Sequence, residues 1–120
     1  MKKKILIVNA VNGELMKEIL ESEHTNLEVS CRDYSKRPSV ARGYEGYIIH
    51  LSETTPNELQ DLRNEQQWSW IFGETVQGTK NIVPEVRSCL DGIEYVITKN
   101  TLDWIANKVI GGYREVKEEK

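Results

Sequence analysis

Asn9, His50, Glu74, Thr75, Lys80 and Lys99 are the side chains whose types and positions could do chemistry together, because each ends or follows a short apolar run. Lys99 closes the stretch IEYVITKN, Ile93 to Asn100. An ammonium fixed where a strand opens onto the surface can pair with a phosphate or carboxylate ligand as a point charge. The bland reading stays open beside it, since most lysines are simply solvated. The loop GETVQGTKN, residues 73–81, has two glycines that permit unusual backbone angles, and it offers Glu74, Thr75, Gln77, Thr79, Lys80 and Asn81 as polar groups beside Lys99. Loops at strand ends carry ligands, and they also merely connect. His50 and Glu53 lie close at one strand end and can be drawn as a general acid and base. A lone histidine there serves packing unless a partner and a substrate are positioned for it.

Residues of this kind converge only if the right elements carry them, and short apolar runs alternate with helical patterns along the whole chain. ILIV, Ile5 to Val8, is a continuous β-branched run of the sort buried on both faces of a sheet, and it predicts the central strand. GELMKEILESE sets Leu15, Ile19 and Leu20 at helical spacing. LEVSC alternates Leu27, Val29 and Cys31 with polar residues, as a half-covered edge strand does. GYIIHL, Gly46 to Leu51, predicts a third strand. In TPNE, Thr55 can cap, Pro56 suits the first helical position and Glu58 completes a capping box. WSWIF predicts a fourth strand with Trp68, Trp70 and Phe72 on one face. PEVRSCLDG predicts a helix from Pro84 to a stop at Gly92. IEYVITKN is the fifth strand, TLDWIANKVI the last helix, and the charged tail from about residue 111 is expected to fray. The basic stretch Arg32 to Gly43 stands where one further, rudimentary helix belongs.

Five strands alternating with helices indicate an α/β/α sandwich around a parallel sheet, with the flavodoxin-like order 2-1-3-4-5 and a ligand crevice at the strands' carboxyl ends. With 120 residues the chain is expected to be a single domain with its own core. A net charge of -3, with 29% charged and 38% hydrophobic residues, suits a soluble protein and suggests neither nucleic acid nor membrane as partner. Ile5 to Val8 is too short for a signal-peptide core, and no segment reaches membrane-spanning length. Cys31 and Cys89 form no CxxC pair, so they read as reduced cysteines of a cytoplasmic protein.

In this order Asn9, His50, Thr75 and Lys99 emerge at one crevice, an arrangement that resembles the receiver domains of bacterial two-component response regulators. The resemblance is carried by ILIVNA and by YVITKNTLDWIANKV. It implies adjacent acids after strand one, an acceptor aspartate ending strand three, a hydroxyl residue ending strand four and a Lys-Pro ending strand five. Here Asn9 and Ala10 stand in place of the acids, His50 in place of the acceptor, and Asn100 follows Lys99; Thr75 can serve as the hydroxyl. Aspartyl phosphorylation needs a carboxylate nucleophile and acids that hold magnesium. The resemblance is therefore to a degenerate, pseudo-receiver domain.

Other chemistries find less support. The first turn NAVNGE matches neither GxGxxG nor GxxxxGK[ST], and it lacks the hydroxyl-rich phosphate loop of flavodoxins. Trp68 and Trp70 could stack on a flavin, but aromatics at period two usually pack under a helix. Neither cysteine sits in a nucleophile elbow. The basic run Arg32, Lys36, Arg37 and Arg42 reads as a solvated loop. The expectation is a non-enzymatic regulatory module with a protein partner, no cofactor and no metal. Its contact face would be formed by the last two helices and the strand between them, anchored by Trp104 and Tyr113. The alternative is a domain that binds a small phosphate-containing ligand through Lys99, Thr75, Lys80, Asn9, Glu74 and His50.

Overall fold

The computed structural model describes residues 2–33, 40–75, 82–94 and 97–114. The opening apolar run becomes strand β1 (Lys3–Val8), and its side chains alternate between two cores. Ile5 and Ile7 point to one face of the sheet and Leu6 and Val8 to the other, so both faces must be covered by helices. Strands β2 (Leu27–Arg32), β3 (Gly46–His50), β4 (Trp70–Glu74) and β5 (Gly92–Glu94) complete a parallel sheet in the order β2-β1-β3-β4-β5. This is the expected flavodoxin-like order.

Helices α1 (Gly13–Glu23) and α4 (Lys99–Ile110) cover one face through Met16, Leu20, Leu102, Ile105, Ala106 and Val109. Gly46 shows how closely α4 lies on β3: a Cβ there would meet Val109 Cγ2 at 2.6 Å. Helices α2 (Pro56–Glu65) and α3 (Pro84–Arg87) cover the other face through Leu59, Leu62 and Val86. The Thr55 hydroxyl caps α2 by accepting from the Glu58 amide and donates to the Glu58 carboxylate, with Pro56 opening the helix as expected.

Several expectations are corrected. Leu15 is exposed, and Met16 with Leu20 forms the buried stripe of α1. Trp68 lies in the turn before β4, so only Trp70 and Phe72 share a strand face, stacked at 6.4 Å between ring centroids. Helix α3 ends at Arg87, because the backbone turns at Ser88–Leu90 and Gly92 opens β5 instead of closing a helix. Between β2 and β3 the described residues contain no helix; 34–39 lie outside them. At the start of the expected tail the Arg114 amide donates to the Trp68 carbonyl and the Trp70 indole N–H to the Gly112 carbonyl, while residues 115–120 lie outside the described residues.

The amino-terminal end of β4 is held by a buried guanidinium. Arg63 donates to the carbonyls of Cys89, Gln66, Gln67 and Ser69 and, at 3.0 Å, to Asp91 Oδ2, which also accepts from the Ile71 amide. Burial pulls the Arg63 pKa down and Asp91 partly restores it.

Two stability outcomes follow from this packing. Asp91→Ala leaves Arg63 buried without its counter-charge, and a loss of about 3–5 kcal/mol is expected in urea unfolding. Trp70→Ala is expected to cost about 3 kcal/mol, and Trp104→Ala clearly less because its ring covers Phe72 from the solvent side. Equal midpoint losses for the two tryptophans would contradict these placements.

Candidate functional site

A cleft of about 770 Å³ opens at the carboxyl ends of β1, β2 and β3. Its wall comes from the turn after β1 and the start of α1, where Asn9 to Leu15 line it, and its far side from Cys31 to Asp33, His50 and Glu53. Asn9 turns the chain out of β1 with φ 60°, a left-handed conformation that asparagine tolerates better than most residues. Asn12 gives α1 no side-chain cap, and the helix begins at the cleft, which its first residues Gly13, Glu14 and Leu15 line. Burial, and next Glu14, push the Cys31 thiol pKa up, the opposite of what an activated nucleophile needs.

His50, which lines the cleft, is paired with Glu74. They are the last residues of β3 and β4 and sit opposite each other in the sheet register, so their side chains leave the same face. His50 Nδ1 lies 3.2 Å from Glu74 Oε1. The residues are only 5% and 8% exposed, an unusual degree of burial for two titratable groups. The pairing of His50 with Glu53 suggested by sequence proximity is thus replaced by one across strands. No local motif announces it; the signal was that both residues end neighbouring strands.

The remaining expected site residues part company. Thr75 is buried just past β4, where its amide donates to the Glu94 carbonyl. Lys80 lies outside the described residues. Lys99 does not end a strand: Thr98 caps α4 by accepting from the Thr101 amide, and Lys99 is the first residue of that helix. Its side chain is 59% exposed, and its ammonium pairs with Glu23 Oε2 at 3.2 Å and with Asp103 Oδ2 at 3.6 Å. Glu23 ends α1, the helix whose other end borders the cleft, and an eleven-residue helix is about 16 Å long. Lys99 therefore serves a surface ion cluster at the opposite end of α1 from Asn9 and His50. Hydrogen bonding to Glu23, then the charge of Asp103, raises its pKa.

Among the described residues, the positions after β1 and at the end of β3, to which the receiver resemblance assigns the carboxylates that hold magnesium, carry none. Asn9, Ala10 and His50 stand where carboxylates would, and the nearby Glu74 oxygen faces a histidine. Among the described residues, Glu23, His24 and Asp103 are the group of three close enough to share an ion, and Lys99 already lies against two of them.

No protein-family model and no curated protein matches the chain. Solved structures do. It is similar to a CheY-like response regulator receiver domain from Methylobacillus flagellatus, with 19% identity, TM-score 0.68, and coverage of 91% of this chain and 99% of that one. A response regulator from Thermotoga maritima gives 11% identity and TM-score 0.70 over 93% and 100% of the two chains. A CheY-like receiver domain from Methanospirillum hungatei JF-1 gives 18% identity and TM-score 0.65 over 92% and 96%. The chain has the fold of response regulator receiver domains.

The Lys99 cluster has a pH signature. The hydrogen bond from His24 and then the charge of Lys99 hold the Asp103 carboxyl below its ordinary range. A depressed carboxylate stabilises the fold above its unfolded pKa, and that contribution fades as pH falls through the folded value. Asp103→Asn should remove a small acid-side slope from the stability profile. Lys99→Ala should leave cleft reporters, such as the His50 ring resonances, unshifted; a shifted His50 signal would place Lys99 at the cleft after all.

Proposed function

We propose that the chain is a regulatory module of receiver fold that works through protein contacts and does not carry out aspartyl phosphorylation. The observation that carries this reading is the exchange at the strand ends: the end of β3 bears His50 paired with Glu74, and the turn after β1 offers Asn9 and Ala10 where acids would hold a metal. A carboxylate nucleophile and a hard-cation site are both missing from those positions.

The contact surface of this reading centres on α4. Trp104 is 45% exposed and Tyr113 60%, large apolar side chains of the kind that anchor interfaces. Both are pre-ordered: Trp104 packs edgewise on Phe72, Tyr113 edgewise on Trp68, and Lys108 and Lys3 lie over Trp104 and Tyr113 respectively. Side chains already fixed lose little entropy when a partner binds. Cys31 and Cys89 are free thiols, which suits a reducing, cytoplasmic setting. No helix among the described residues is long and apolar enough to cross a membrane. The second reading, a domain for a small phosphate-containing ligand, draws on the uncapped start of α1 at the cleft, but Lys99 is committed elsewhere.

The test is incubation with acetyl phosphate and magnesium followed by hydroxylamine treatment and peptide mapping. No hydroxylamine-sensitive phosphoryl group on any aspartate or glutamate is expected. Such a group, mapped to a carboxylate at the strand ends, would overturn the reading.

A further inference from the structure

The His50–Glu74 pair is not used by a module that works only through α4, and its geometry is incomplete in an informative way. Nδ1 and Oε1 face each other at 3.2 Å, yet their alignment does not make a hydrogen bond, and neither atom has another partner among the described residues. Two buried polar atoms left this way carry a desolvation cost. A positive charge on the ring would relieve it, because an imidazolium can donate from Nδ1 to the Glu74 carboxylate. Contacts of this kind are often poorly aligned at rest and tighten during reaction. Because Nδ1 faces Glu74, Nε2 is the nitrogen left to the cleft that His50 lines.

We propose that His50 is a phosphoryl-acceptor site for donors of the phosphoramidate class, with Glu74 as its positioning residue. Nε2 of the neutral ring attacks phosphorus. A new N–P bond forms as the donor's P–N bond breaks, and the amine leaves with that bond's electron pair. Its nitrogen is already protonated in the zwitterionic donor, so no further proton is required. The ring is left as an Nε2-phosphoryl imidazolium whose Nδ1–H points at Glu74.

The cleft supports this donor class on electrostatic grounds. The uncapped first turn of α1 offers amides to phosphoryl oxygens, while Glu14, Asp33 and Glu53 line the same space together with Arg32. Such a rim repels a dianionic acyl phosphate more than a donor whose leaving group carries positive charge. The proposal rests on the regulatory reading above and adds to it a modification at the same strand ends.

The experiment uses the full chain and potassium phosphoramidate, read by intact mass and peptide mapping. The sequence has two histidines, so His24 is an internal control. The expected product is an acid-labile, hydroxylamine-resistant phosphoryl group on His50. It should form ahead of His24 by about tenfold in rate, which corresponds to about 1.4 kcal/mol of barrier. In denaturing urea the preference should vanish. Glu74→Gln should slow His50 labelling by about tenfold, and acetyl phosphate should label His50 more slowly than phosphoramidate. Native His24 labelled as fast as His50, no label on His50, or an unchanged rate in a folded Glu74→Gln protein would each overturn the proposal. If Glu74→Gln does not fold, the native comparison of His50 with His24 decides alone. A hydroxylamine-sensitive label on a carboxylate would instead overturn the regulatory reading, so the two failures are told apart in one sample.

Discussion

A charged guanidinium taken out of water must have nearly all its donors occupied, and that constraint on Arg63 fixes one end of the molecule. Its five hydrogen bonds tie the end of α2, the turn into β4 and the turn out of α3 to a single point. Asp91 closes the arrangement, since its other oxygen accepts from Arg114 and its amide donates to the Ile71 carbonyl. None of these segments is free to slide along the sheet without exposing a buried charge. The amino-terminal end of the sheet is thereby clamped, and strand ends at the opposite edge can vary without loss of register. Loops on a rigid scaffold carry function for this reason.

Against that scaffold, the unusual feature of the carboxyl edge is where its charges go. Lys99, an exposed cation in the sequence, is drawn into a surface cluster with Glu23 and Asp103 by the first turn of α4. The cleft is lined by Arg32 and several carboxylates and by His50, whose buried ring faces the buried Glu74 carboxylate. Exposed ion pairs are worth little to stability, so the Lys99 cluster is better understood as an orientation of α4 against α1 than as a source of folding energy. A buried pair is different, because its desolvation is not recovered unless a ligand or a change of charge completes it.

How much of this was legible in the chain differs by scale. The strand order was readable because it depends on patterns that extend over many residues: a four-residue apolar run buried on both faces, an alternating edge strand, and helices between them. The capping of α2 was readable because Thr55, Pro56 and Glu58 act within one turn. The site was only partly readable. Lys99 looked like a strand end because IEYVIT is rich in β formers, yet pairing Gly92 with Phe72 starts β5 early and Thr98 starts the helix before Asn100. The clue was present in the spacing of Thr98 and Thr101 ahead of Leu102, Ile105 and Val109. The partnership of His50 with Glu74 needed the register between two strands 20 residues apart in the chain, which local pattern does not encode.

The comparison with solved receiver domains follows from the same separation of scales. At 11–19% identity the fold persists, since hydrophobic alternation and total core volume determine it and many sequences satisfy both. Strand-end residues contribute little to that core, so they change freely unless chemistry holds them. With Asn9, Ala10 and His50 at these strand ends, the buried carboxylate of Glu74 faces the imidazole of His50, which lines a cleft that also keeps Glu14, Asp33 and Glu53. Glu74, in register with His50 on the neighbouring strand, sets a buried carboxylate oxygen 3.2 Å from that ring, a contact that no local sequence pattern around either residue would produce.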